Sequence, residues 1–150
     1  IFILENVRDS VWEDAGEGFD IVYASVDYTL SALSEIEVLS AGAFSETSSV
    51  SLTGNELANN IWGNAGNNVI NGGLGSDSLF GFGGADTFVF NTTPSMENMD
   101  TIFDFQSGVD RIALDDAMFA GLSPGGLPAE AFKVGLTGWD ADDRIIYVPE

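Results

Sequence analysis

The chain has 150 residues, 45% of them hydrophobic, and its 24 Asp and Glu face only four Lys and Arg, a formal charge of −20. That apolar content argues against a disordered chain, and that acidity against nucleic acid or anionic membrane as partners, since both are held through Lys and Arg. With neither cysteine nor histidine, disulfides, thiolate metal sites and Ser-His, Cys-His or HExxH chemistry are excluded.

Self-repulsion at −20 opposes compaction, so a chain this apolar and this acidic suggests bound cations. A merely soluble or halophilic acidic protein is the competing reading. No apolar run reaches membrane-spanning length, and no basic-then-apolar leader opens the chain. The first and last residues fall inside apparent strands, as in an excised fragment, so the lack of targeting signals carries no weight.

Residues 1–53 are expected to form an N-terminal β cap. Ile1–Leu4 reads as a strand, Ile21–Tyr23 as a short apolar one, and Val26, Tyr28 and Leu30 alternate with polar residues. The segment 15–23 places Gly16, Gly18, Asp20 and Val22 as a divergent turn followed by a strand. Ile36–Ser40 is a further strand candidate, and a Ser-rich stretch (Ser45–Ser51) leads into Val50–Leu52.

From Gly54 to Val89 the chain repeats every nine residues, four times: GNELANNIW, GNAGNNVIN, GGLGSDSLF and GFGGADTFV. Glycine opens each block. Position six holds Asn59, Asn68, Asp77 and Asp86; position eight holds Ile61, Ile70, Leu79 and Phe88. A six-residue turn ending in an oxygen-bearing side chain, then a three-residue strand with one inward apolar residue, stacks turns and aligns oxygens. Oxygens in register suit a hard divalent cation. Trp62, Phe80 and Phe82 fall near the outside of the stack or its turns, where covering neighbouring strands is the leading reading and contact with a partner domain the alternative.

After Val89 comes a C-terminal β cap over 90–150. Asn91–Met99 is a polar loop interrupted by Pro94. Asp100–Phe105 and Asp110–Leu114 flank a turn at Gln106–Val109 as a hairpin-like or coil-closing pair. Asp115–Ala120 is expected to form one or two helical turns. Strands at Ala131–Val134 and Asp143–Val148 would close the roll, since repeat folds need atypical ends to hide apolar surface and edges.

The third block fits the calcium-binding nonapeptide G-G-x-G-x-D-x-U-x at every fixed position, and the fourth departs only at Phe82. The chain therefore resembles the RTX (hemolysin-type) calcium-binding repeat proteins, particularly the C-terminal region of serralysin-type secreted proteases. Asp100–Leu114 (D-x-I-x-D-F-x-x-G-x-D-x-I-x-L) also resembles the segment just after the blocks in that family. The resemblance implies an all-β, right-handed parallel β-roll with irregular β caps at both ends, two blocks per coil, and same-side turns eighteen residues apart. The implied calcium ligands are the carbonyls of positions two and four and the sixth side chain of one turn, completed by positions one, three and six of the turn eighteen residues later.

One site would then join Asn55, Leu57 and Asn59 to Gly72, Leu74 and Asp77; a second would join Asn64, Gly66 and Asn68 to Gly81, Gly83 and Asp86. A third and fourth would lie under Gly73, Gly75 and Asp77, and under Phe82, Gly84 and Asp86. Asp100 is the first choice for a cap ligand and Asp104 the second, although for Asp104 and Asp110 the solvated-surface reading is preferred. Asp20 is a further candidate. Two to four Ca2+ ions are expected. For Asn59 and Asn68 an Asn ladder capping turns without metal competes with ligation.

By the same resemblance the chain is a non-catalytic module of a secreted bacterial protein, extracellular or on the cell surface. It would fold on meeting external calcium, with type I secretion machinery and a fused effector domain as partners, and with no nucleic acid and no membrane insertion. The alternatives are a calcium-stiffened adhesive or structural surface module and, more remotely, a glycan-processing domain using paired carboxylates.

Overall fold

The structure is a computed structural model that describes residues 1–13, 16 and 18–119, together with the backbone of two strands at 132–134 and 145–147. Each nine-residue block forms what its pattern dictates. The glycine-rich part turns and the last three residues extend, giving β6 (Asn60–Trp62), β7 (Val69–Asn71), β8 (Ser78–Phe80) and β9 (Thr87–Phe90). The central residues Ile61, Ile70, Leu79 and Phe88 are fully buried, while their neighbours face outward. Burying each such side chain stabilises the fold by about 1.5–3 kcal/mol.

Asn60 lies opposite Ser78 and Val69 opposite Thr87, both pairs parallel, a step of eighteen residues. Alternate blocks therefore feed alternate sheets. The same arrangement extends to both sides of the strict repeats. β1 (Phe2–Leu4), β2 (Ile21–Ala24), β4 (Val38–Ser40) and β10 (Thr101–Ile102) join one sheet, in the order β1-β2-β4-β6-β8-β10. β3 (Tyr28–Thr29), β5 (Ser51–Thr53) and β11 (Arg111–Leu114) join the other, in the order β11-β9-β7-β5-β3. All pairings within these sheets are parallel, so the chain is an all-β solenoid of the β-roll type. One continuous core runs between the sheets from Leu4 and Val11 to Phe88, with Ile102 and Phe105 packed against its end.

Outside the strict blocks the coil length changes while the strands still meet. Ile21 faces Val38, Val38 faces Asn60, Ser78 faces Thr101 and Thr87 faces Arg111. Only two to four residues per coil need matching, so the excess is carried by surface loops such as 41–50 and 91–100.

Several expectations are refined. The pair after the polar loop closes coils and is no hairpin, because β10 and β11 belong to different sheets. Val26 sits in a bend, leaving only Tyr28–Thr29 of that alternating run as strand. The expected helix from Asp115 is one turn: Met118 and Phe119 N–H donate to the Asp115 carbonyl, and Ala117 N–H donates to Asp115 Oδ1. No helix occurs among the described residues, and so short a segment cannot offset the cost of helix nucleation alone. Ala120 lies outside the described residues. Of the last two expected strands, β12 (Phe132–Val134) and β13 (Ile145–Tyr147) pair in parallel; the remaining residues of those predictions lie outside the described set.

Candidate metal sites in the turns

The four turns are of two kinds. In the later pair, Gly73 (φ 95°), Gly75 (φ 103°) and Gly84 (φ 100°) adopt left-handed backbone, and Phe82 is held there too at φ 66°. In the earlier pair the equivalent residues Asn55, Leu57, Asn64 and Gly66 do not. Side-chain chemistry explains the difference. Asn55 Oδ1 accepts from Leu57 N–H at 2.9 Å and Asn64 Oδ1 from Gly66 N–H at 2.7 Å, the Asx-turn pattern that replaces a glycine turn.

The amide nitrogens of the earlier turns are also committed. Asn55 Nδ2 donates to the Ser34 and Ser31 carbonyls at 2.8 and 3.0 Å, and Asn59 Nδ2 to Ile36 O at 2.7 Å. Asn64 Nδ2 donates to Ser48 O at 3.1 Å and Asn68 Nδ2 to Asn64 Oδ1 at 3.2 Å. All four side chains are buried. The carbonyls of the preceding loops thus meet an uncharged N–H donor where carboxylate turns would gather round a cation.

Later in the chain carboxylates take over, in two columns. Asp77 Oδ1 accepts from Asn59 N–H, and Asp100 Oδ1 from Asp77 N–H. In the second column Asp86 Oδ1 accepts from Asn68 N–H, and Asp110 Oδ1 from Asp86 N–H. Asp104 accepts from the Gly81 and Phe82 amides at 2.9 and 2.7 Å. Each carboxylate therefore caps the backbone of the turn before it.

The other carboxylate oxygens converge on glycine. A Cβ on Gly72 would collide with Asp77 Oδ2 and come within 3.0 Å of Asp100 Oδ2; a Cβ on Gly81 would collide with Asp86 Oδ2. Asp77 Oδ2 is buried and has no hydrogen-bond donor. Asp100 can share a hydrogen bond with it only when one of the two is protonated. One coil earlier the same construction places Asn59 Oδ1 and the Gly72 carbonyl against Gly54, and Asn68 Oδ1 and the Gly81 carbonyl against Gly63.

Burial raises the Asp77 carboxyl to about 7, with the charge of Asp100 adding to the rise and the Asn59 N–H opposing it. Burial likewise raises Asp86 to about 6, aided by Asp110 and Asp104, and lifts Asp100 above the usual carboxylate range. Desolvated carboxylates facing one another without a counter-charge favour protonation or a cation.

The structure thus brings Asp77 to Asp100, and Asp86 to Asp104 and Asp110. Gly73, Gly75 and Gly84 lie against the carbonyls of Asn55, Leu57 and Gly66, and Leu74 and Gly83 donate N–H to the Asn55 and Asn64 carbonyls. Asp20 stands apart: its N–H donates to Glu37 Oε2 and its Oδ1 accepts from the N-terminal amine at 3.0 Å. Hydrogen bonding from Glu13 and that amine lowers its carboxyl. Asp110 corrects the solvated-surface reading, being buried and also accepting from Gln106 N–H at 2.7 Å. Its signal in the sequence is its offset, since it follows Asp86 by nearly the interval at which Asp100 follows Asp77.

Among the described residues no three His, Cys, Asp or Glu side chains group as a metal site, so an ion in these turns would draw most of its ligands from backbone carbonyls. The donor set fits such an ion: all oxygen, glycine-cradled, with an orphaned buried carboxylate oxygen.

Stacked glycine–Asx turns on a two-sheet parallel roll define the RTX type of β-roll. Residues 6–122 match the family model described as Peptidase M10 serralysin C terminal, and the chain belongs to that family. Comparison with curated proteins and with solved structures found no match. No helix among the described residues is long and apolar enough to cross a membrane.

Proposed function

We propose that the chain is a calcium-binding module that folds on meeting extracellular calcium and supports the secretion, folding and stability of a secreted bacterial protein. The buried Asp77 Oδ2, without a donor and facing Asp100 across the Gly72 cradle, carries this reading. Asp77 and Asp100 would hold one ion and Asp86 with Asp104 another, each completed chiefly by backbone carbonyls of the flanking turns. Up to two more would lie between the Asn and Asp turns, where Asn59 and Asn68 offer their Oδ1 atoms. The ion supplies positive charge to desolvated oxygens, and its binding free energy becomes folding free energy.

The module is non-catalytic in this reading, and the effector activity belongs to a fused domain exported with it by type I secretion machinery. In low calcium the acidic turns repel and the roll is only marginally stable, which keeps the chain open to export. At free calcium about a thousandfold above the dissociation constant, binding adds about 4 kcal/mol of stability per ion. Circular dichroism of the full chain, stripped with EGTA and then titrated with calcium, tests this. A β signal that grows with calcium and a rising melting temperature are expected; a spectrum and melting temperature indifferent to both treatments overturn it.

A further inference from the structure

The outer face of the six-stranded sheet carries an aromatic ridge. Trp62 and Phe80 are in register on β6 and β8, and Phe103, immediately after β10, continues the row. Phe80 and Phe103 stack at 4.7 Å with planes 5° apart. Phe82 stacks on Phe80 at 6.1 Å, and Phe44 closes the group against Phe82 and Trp62 at 4.7 and 6.0 Å. Even so packed, Phe44, Phe82 and Phe103 remain 49%, 37% and 55% exposed. Phe82 also sits at the position where the third block has glycine, in left-handed backbone. A strained backbone retained for an exposed ring points to a use for that ring.

The ridge has a shape and a charge. Phe80 and Phe103 stack face to face while Phe44 meets Trp62 and Phe82 at 59° and 42°, so the ridge is uneven and forms no single flat platform. Its row crosses strands about 4.8 Å apart, close to the roughly 5.4 Å pitch of an α-helix. A helix laid across the strands would set about one side chain per turn against each aromatic. Glu46 follows Phe44 by two residues, and Asp104 directly follows Phe103 and accepts from the Phe82 amide. Of the cations with described side chains, Arg8 lies in the loop after β1 and Arg111 on the opposite sheet. A second copy would bring another −20 against this surface.

We propose that the ridge docks an amphipathic helix of a partner protein, with an apolar stripe flanked by Lys or Arg. This goes beyond the calcium reading, and because Phe82 and Phe103 adjoin the proposed ligand loops every measurement is made at saturating calcium. The test titrates the full chain, in calcium and verified as folded by circular dichroism, into a labelled Leu/Lys peptide of helical apolar periodicity, with anisotropy as the readout. The variant is Phe44→Ser combined with Phe103→Ser, two exposed rings outside the core. The expected result is binding to the native chain, a loss of about tenfold or more in affinity with the double variant, and no binding of a scrambled peptide of the same composition. Equal affinity for native and variant chains, or equal binding of the scrambled peptide, overturns the proposal. So does ridge-dependent binding to phosphatidylcholine vesicles, or a concentration-dependent dimer lost in the variant, either of which assigns the ridge to another occupant.

Discussion

At the scale of single residues, one atom separates two kinds of turn. Asn and Asp differ by an NH2 in place of an oxygen, yet in this roll the amide donates to carbonyls that would otherwise face a cation. Asn64→Ala is therefore expected to destabilise the chain by about 2–3 kcal/mol with or without calcium, because buried carbonyls and the Gly66 amide lose their partner. Chemical denaturation in both conditions measures this. Asp77→Asn should behave oppositely: calcium-free stability is maintained or raised as a buried charge beside Asp100 is removed, while the calcium midpoint rises by about tenfold or more. A calcium titration followed by circular dichroism distinguishes the two variants. The carboxylate pair was legible in the repeat at Asp77 and Asp86, and its partner Asp100 in the motif just after the blocks. Asp110 stands in the same motif, but only its offset from Asp86 hints that it is buried, because its environment comes from a turn 24 residues earlier in the chain.

At the scale of elements, the inward residue of each three-residue strand holds the two sheets together. Leu79 is fully buried between Ile61 and Ile102, its partners in register. Leu79→Ala is expected to cost about 2–5 kcal/mol, read from the denaturation midpoint in saturating calcium. Gly73→Ala should also destabilise, by about 1 kcal/mol or more, since its φ of 95° disfavours a side chain and a Cβ would press on the Asn55 carbonyl. The period of nine made these strands and turns readable in advance. Pairing at the two ends was harder to read, because coils there deviate from eighteen residues and only the apolar positions stay in phase. The short segment from Asp115 had helical composition but not helical length, and Asp115 turned its own carboxylate onto the local backbone.

For the whole molecule, acidity and burial act together on pH dependence. Asp77 and Asp86 keep their protons to about 7 and about 6 when folded, against 3.8 for an ordinary Asp. Between those values the folded chain binds more protons than the unfolded one, so calcium-free stability falls as pH rises. Metal-stripped protein is expected to melt at higher temperature near about pH 5 than near about pH 8. Saturating calcium should reverse or erase that trend, because the ion needs bare carboxylates. Thermal melts at both pH values, with and without calcium, decide the matter.

The carboxylate columns have a direction: every cap arrives later in the chain than the amide it covers. A ribosome, which makes a protein from its N-terminal side, would release each turn before its acceptor exists. A chain stopped at residue 99 would leave the amides of Asp77, Gly81, Phe82 and Asp86 without the oxygens of Asp100, Asp104 and Asp110. The roll is thus finished backwards, its middle coils staying provisional until the last acidic loop has been made.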